Sequence, residues 1–312
     1  AIGRTAGMQR EPTSLDRRFF LEYALLNAMG AISTSAAIIT GFRARNGCMS
    51  EAILVSIVDA TATITLNRPN VHNAFDDVLI ADLTAALHDC ERNTAVRFVV
   101  LSGAGASFSA GADLNWMRSM ASADEASNRA DSLRLAELMR TLNFLAKPTI
   151  ARVNGSAYGG GVGLIACCDI AIGIEGAKFS LSEVKLGLVP AVISPYVVAA
   201  IGTRQARKLF ISGEVFDAAT AMRIGLLHEA VAPDRLDAMV ERALHFLAKG
   251  GPLAQVEAKR LALRSGGMTP AAAEHIDAEN AELIARLRVA AVGQKGLIAF
   301  LDKRAPDWVR GE

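Results

Sequence analysis

Cysteine is scarce in this 312-residue chain: four copies, Cys48, Cys90 and the adjacent pair Cys167-Cys168, with no C-x-x-C spacing among them. Adjacent cysteines make poor partners for one another, so the thiols read as reduced, two of them as core packing, in a reducing compartment. The five histidines are dispersed without metal-ligand spacing, and no metal is expected. Net charge is nearly absent as well, at +1, so no global field favours nucleic acid or an anionic membrane. The basic cluster Arg204, Arg207 and Lys208 lacks interleaved aromatics and reads as a solvated helix face. No internal repeat is visible. Half of the residues are hydrophobic, enough at this length for a large core.

The first 48 residues look foreign to the rest. Arg17-Arg18-Phe19-Phe20-Leu21, followed by a small-residue, mildly apolar stretch, resembles a twin-arginine export signal or an Arg-rich transit peptide. Glu22 and Asn27 interrupt the apolar run, and arginines flank it, against a membrane span. The favoured reading is a poorly ordered leader or non-native extension ahead of Met49, with the protein acting in the cytoplasm; a transit peptide would direct it to the mitochondrial matrix instead.

From Ile53 the pattern is regular. Residues 53–58 and 62–66 read as two antiparallel strands around Asp59-Ala60. Asp76 or Asp77 caps a helix with Leu79, Ile80, Leu83, Leu87 and Cys90 on one face. A strand over 98–101, a helix over 123–145 and a strand over 149–153 follow, the last two separated by Lys147-Pro148. Strands over 169–174 and 179–181 come next, and after Pro190 only helical patterns are expected: 195–201, 204–211, 218–224, 235–248, 253–263, 271–287 and 289–301. This order predicts an α/β core over 49–250 with a helical C-terminal region over 251–312.

Three segments carry chemistry. The most informative runs from Asn154 to Ile172, where a β-branched strand gives way to Gly159-Gly160-Gly161 and then to an apolar helix. Glycine lets a backbone lie against a ligand, and a helix start leaves unpaired N–H groups facing it. The second segment, Phe108-Ser109-Ala110-Gly111-Ala112-Asp113-Leu114, also follows a strand. The third, residues 181–190, sets Glu183 within an otherwise apolar stretch, where a carboxyl has its pKa raised and suits proton transfer. Two N–H groups from the first two segments converging on one oxygen would make an oxyanion hole for an enolate.

Together these residues resemble the crotonase (enoyl-CoA hydratase/isomerase) superfamily over about residues 50–308. The resemblance rests on N-R-P at Asn67–Pro69 with Asn73-Ala74, F-S-A-G-A-D-L, the glycine turn with C-D-I-A, S-E-V-K-L-G, and the tail G-L-I-A-F-L-D-K-R. It implies a spiral of ββα units, a C-terminal helical trimerisation layer, a homotrimer or dimer of trimers, and acyl-CoA thioester substrates, CoA being part of the substrate rather than a cofactor. It implies that the N–H groups of Ala110 and Gly160 form the oxyanion hole and that Glu183 moves the proton. CoA would lie along His72, Ala74, Ala112, Asp113 and Leu114, with Lys303 meeting its phosphates. Beside that resemblance, Trp116, Met117, Arg118 and Gly163 are candidates to line the acyl pocket, with Trp116 and Met117 reading equally as core.

One departure bears on the reaction. Hydratases of the family carry a glutamate three residues beyond the second glycine of the turn, and here that residue is Gly163. One carboxylate alone resembles the isomerases, which shuttle a proton between two carbons. The detailed motifs nevertheless resemble 3-methylglutaconyl-CoA hydratase-like proteins, whose substrate carries a free distal carboxylate; Arg118 or Lys185 would be its partner. Two rivals stand beside this reading. Gly161-Val162-Gly163-Leu164-Ile165-Ala166 fits the dinucleotide fingerprint, but Ser156-Ala157-Tyr158 separates strand from glycines and F-S-A-G-A-D goes unexplained. A non-catalytic acyl-CoA binder fits Gly163 but has no need of Glu183.

Overall fold

A computed structural model describes residues 51–309, so the leader region, with Cys48 and Met49, lies outside the described residues. The chain enters through strand β1 (Ile53–Val58) and turns at Asp59 and Ala60, both at positive φ, into β2 (Thr61–Leu66). Asp76 then caps α1 (Asp77–Arg92), its side chain accepting from the Leu79 N–H at 2.8 Å. Strands β3 (Phe98–Gly103), β5 (Thr149–Val153), β7 (Ile170–Ile174) and β10 (Glu229–Val231) complete a six-stranded sheet of order β1-β2-β3-β5-β7-β10. All its pairs are parallel except β1 with β2. A second sheet, of order β4-β6-β8-β9, uses three-residue strands: β4 (Ser107–Ser109), β6 (Ser156–Tyr158), β8 (Lys178–Ser180) and β9 (Val215–Asp217). Each loop that carries chemistry emerges from this smaller sheet: after β4, after β6 and after β8.

Helices α2 (Leu114–Ser122), α3 (Glu125–Phe144) and α4 (Gly160–Cys167) lie between these strands in the chain. Beyond them come α5 (Ser194–Ser212), α6 (Ala218–Ile224), α7 (Leu236–Ala248), α8 (Pro252–Ser265), α9 (Pro270–Val289) and α10 (Ala291–Leu301). The apolar stripe of α1 is buried as expected, and the main core joins it to Ile64, Leu66, Leu101, Leu138, Met139, Leu142, Val162, Leu164 and Ile165. Removing these side chains from water is the principal driving force for the fold. Asp169, at the entry to β7, fixes two elements. Its Oδ2 accepts from the Thr149 N–H (2.8 Å) and Oγ1 (2.9 Å) and pairs with Lys259 of α8 at 2.9 Å.

Three expectations are corrected. Strands do not end at Pro190, because β9 pairs with β8 and β10 with β7. Ser156-Ala157-Tyr158, expected as a spacer between strand and glycines, itself forms β6 and runs straight into the glycine turn. The two helical patterns over 195–201 and 204–211 are kept, as the halves of α5 on either side of a kink at Gly202 (φ 74°). The A-D-L-N-W-M segment, where no helix is expected from the pattern, opens α2. Asp113 caps it by accepting from the N–H groups of Asn115 (2.8 Å) and Trp116 (3.2 Å). Among the described residues, no helix is long and apolar enough to cross a membrane.

Candidate active site

Arg68 of the N-R-P turn organises the first wall. Its guanidinium pairs with Asp76 at 2.9 Å and Asp113 at 3.2 Å, and donates to the Ala74 carbonyl at 2.6 Å. Asn73, fully buried, accepts from the Arg68 N–H and donates to the carbonyls of Ala104 and Ser107. These bonds clamp the loop before α1 against the loop after β4. Across the seam, the Phe75 N–H donates to the Gly111 carbonyl (2.6 Å) and the Asp113 N–H to the Phe75 carbonyl (2.8 Å). In extended chain, successive backbone groups point to opposite sides. With Gly111 and Asp113 both bonded to Phe75, the intervening Ala112 N–H faces away from that seam. It makes no hydrogen bond among the described residues, and Ala112 lines the cavity.

The Ala110 amide is corrected by the same geometry. Its N–H donates to the His72 carbonyl at 2.9 Å, so it holds a loop together and has no proton left for a substrate oxygen. The unengaged amide of the F-S-A-G-A-D segment is that of Ala112, two residues on.

The second wall is the glycine turn. Gly159 sits at φ 49° ahead of α4, and a β-carbon there would lie 3.0 Å from Glu183 Oε1. A side chain at this position would thus be both strained and in contact with the carboxyl. Gly159 lends α4 no side-chain cap, and the Gly160 N–H at the helix start has no partner among the described residues. The two walls abut: a β-carbon on Gly111 would lie 2.8 Å from the Tyr158 carbonyl oxygen.

Glu183 closes the site from the third segment, as the first residue of a 3-10 turn (Glu183–Leu186) following β8. Its Oε2 is buried without a hydrogen-bond partner. Loss of hydration pushes its pKa up to about 7, against a smaller opposing effect from its own backbone N–H. Neither Lys185 nor Arg152 forms an ion pair with it; Arg152 pairs with Asp237 at 2.6 Å. The result is an apolar-walled cavity of about 430 Å³ bordered by Ala112, Gly160, Glu183, Trp116, Ile284 and Arg288. Two unspent amides and a carboxyl of near-neutral pKa can stabilise an oxyanion while moving a proton beside it.

The remaining expected residues divide. Trp116, Met117 and Lys185 border the cavity. Arg118 does not; it is exposed and donates to Asn115 Oδ1 at 2.8 Å, because the cap at Asp113 turns that face of α2 outward. Gly163 does not line the cavity either. A β-carbon on it would run into Ile193 Cγ2, with Met139 Cε at 3.3 Å, so apolar side chains already fill the space a glutamate would need. His72 is exposed, with Nδ1 3.0 Å from Ser107 Oγ, and Ala74 is buried with its carbonyl engaged by Arg68. Leu114 and Lys303 are exposed. Cys90, Cys167 and Cys168 are buried free thiols; burial pushes Cys90 up to about 11 and Cys168 up to about 12, away from nucleophilic use.

Sequence reading missed Arg288. It lies on α9 and reaches the cavity, its guanidinium 6.0 Å from the Trp116 ring centroid and 3.5 Å from Asp131 Oδ2. Desolvation draws its pKa below the usual guanidinium value, with Asp131 opposing. Nothing in the α9 pattern marks it, since the stripe of that helix reads as ordinary packing.

Relatives and solved structures agree with this architecture. The chain belongs to the enoyl-CoA hydratase/isomerase family, whose model matches residues 56–311. It is 34% identical over 264 residues to the 2,3-dehydroadipyl-CoA hydratase of Escherichia coli, covering 83% of this chain and 99% of that protein. It is 32% identical to the crotonyl-CoA hydratase of Syntrophomonas wolfei, covering 83% and 98%. A crystal structure of an enoyl-CoA hydratase from Shewanella pealeana superposes with a TM-score of 0.67 at 42% identity, over 82% of this chain and 96% of that one. The expected crotonase-type α/β fold is therefore the one adopted, and the dinucleotide reading of the glycine turn is set aside.

Proposed function

We propose that this protein is an enoyl-CoA hydratase, adding water reversibly across the α,β double bond of a 2-enoyl-CoA thioester. The observation that carries this reading is the unpartnered Glu183 carboxyl beside Gly159, on a cavity that also presents the free amides of Ala112 and Gly160. The thioester oxygen accepts from both amides. Ionised Glu183 takes a proton from water as its oxygen bonds to the β-carbon, and the thioester becomes an enolate. Glu183 then returns that proton to the α-carbon, so one carboxyl serves as base and then acid. Such polarisation is worth about 3–4 kcal/mol per donor in the transition state.

The favoured substrate is 3-methylglutaconyl-CoA or a related branched thioester, on the strength of the motif resemblance. CoA would run past His72, Ala74 and Asp113–Leu114 toward Lys303. The exposed apolar side chains Leu253, Val292 and Phe300 on the C-terminal helices support a homotrimer or dimer of trimers. The buried free thiols support a reducing compartment such as the cytoplasm. A second reading, double-bond isomerisation by Glu183 alone, is favoured by the filled space at Gly163.

Assays with crotonyl-CoA, 3-methylglutaconyl-CoA and a 3-enoyl-CoA separate these. Hydration lost in Glu183→Gln is expected. Isomerisation without hydration supports the second reading, and thioester binding with no turnover of any substrate leaves a plain binder.

A further inference from the structure

Two residues on the cavity wall carry hydrogen-bond donors without an acceptor. Trp116 is 8% exposed, and its Nε1 is buried without a partner among the described residues. Arg288, with its side chain 15% exposed, makes all its side-chain hydrogen bonds through Nη1: to Asn128 Oδ1 (3.3 Å), Asp131 Oδ2 (3.5 Å) and Ser132 Oγ (3.5 Å). Its Nε and Nη2, which form one edge of the guanidinium, make none among the described residues. Such an edge presents two parallel N–H groups, the geometry that matches a carboxylate.

The alternative explanation, that Arg288 exists to neutralise Asp131, leaves this edge unexplained. Asp131 already has a closer cation, Arg134 Nη2 at 3.0 Å, while Arg288 stands 3.5 Å away. A buried donor such as Trp116 Nε1 is costly without an acceptor, and the unbonded cationic edge of Arg288 beside an apolar-walled cavity favours an anionic partner. Such donors are kept where a ligand completes them.

We infer that Arg288 and Trp116 form an anion subsite for a carboxylate on the far end of the acyl chain, so that the preferred substrates are enoyl thioesters of dicarboxylic acids. The inference rests on the hydratase reading for its chemistry, but the subsite itself is a matter of binding. It assigns the role expected of Arg118 or Lys185 to a residue more than 100 positions further along the chain. Arg288 contacts substrate away from the reacting carbons and sets specificity.

The test compares 2,3-dehydroadipyl-CoA with 2-hexenoyl-CoA, thioesters of equal chain length that differ in the terminal carboxylate. The wild-type protein is expected to favour the dicarboxylic thioester at least tenfold in kcat/KM. Arg288→Met should erase most of that preference, Arg288→Lys should restore part of it, and Trp116→Phe should reduce it several-fold. Calorimetry of the saturated pair, adipyl-CoA against hexanoyl-CoA, reads the same preference without turnover; loss of hydration with retained preference sinks the hydratase reading but not the subsite. The wild-type comparison stands even if an Arg288 variant does not fold. Equal affinity and equal turnover of the two wild-type pairs overturn the proposal. So does an Arg288 effect that disappears with pantetheine thioesters, which lack the nucleotide phosphates and would thereby assign the guanidinium to them.

Discussion

Ile193 occupies the space beside Gly163: a β-carbon added to the glycine would collide with Ile193 Cγ2 and come within 2.9 Å of Ile193 Cβ. Ile193 is 3% exposed and part of the main core, so it has no room to retreat. Gly163→Ala is therefore expected to destabilise the fold by about 1–3 kcal/mol through overpacking. Paired with Ile193→Ala, which opens the space, its cost should shrink. A double-mutant cycle from chemical denaturation measures the coupling, and strictly additive effects would contradict the packing account.

Glu183 sets the pH behaviour. Its folded pKa of about 7 lies above the ordinary 4.5, so between those values the folded protein holds a proton that the unfolded chain has released. Stability from this group is intact below about pH 4.5 and is lost as pH rises through 7, by up to about 3 kcal/mol. Glu183→Gln should unfold at a higher temperature than wild type at pH 8 and lose that advantage near pH 4.5. Activity runs the other way. Because the first step needs ionised Glu183, kcat/KM should fall about tenfold per pH unit below 7, and Glu183→Gln should lower kcat by about 10²–10⁴-fold.

Arg68 joins Asp76 to Asp113 and so holds the Ala112 loop against Phe75. Arg68→Met leaves both carboxylates without this partner and should cost about 2–3 kcal/mol of stability. It should also lower kcat up to about 100-fold, since a small displacement of a positioning group has that effect. Arg68→Lys restores charge but not the two-sided grip, and should recover stability more than kcat. Thermal denaturation alongside steady-state kinetics separates the two, and unchanged kcat in Arg68→Met would count against the clamp.

Much of this was legible in the chain, for identifiable reasons. The run from Thr149 to Val153 is β-branched and bounded by Pro148 and Asn154, so its limits as a strand follow from local chemistry. The α1 stripe repeats at helical spacing and meets a capping aspartate at Asp76. Strands β4, β6, β9 and β10 were missed because three residues carry no period; they exist through pairing, β4 with β6, β6 with β8, β9 with β8 and β10 with β7. Helix α2 was missed although Asp113 offered a cap signal, because its nine residues bury Trp116 alone and so show no apolar stripe. Among the site residues, Glu183 stood out as the one carboxylate of a largely apolar segment. Which amide in F-S-A-G-A-D stays free could not be read locally, since it depends on bonds to His72 and Phe75, more than 30 residues away. Arg288 depends on the packing of α9 beside α2 and α3 and was invisible for the same reason.

The most direct test is to replace single backbone amides by esters, which removes one N–H and leaves side chains untouched. An ester at Ala112 is expected to lower kcat for enoyl-CoA hydration by about 10²–10³-fold with the fold intact. An ester at Ala110 should cost about 1 kcal/mol of stability, through the lost bond to His72, and leave kcat nearly unchanged. The opposite pattern, with catalysis failing at Ala110 and surviving at Ala112, would contradict the account.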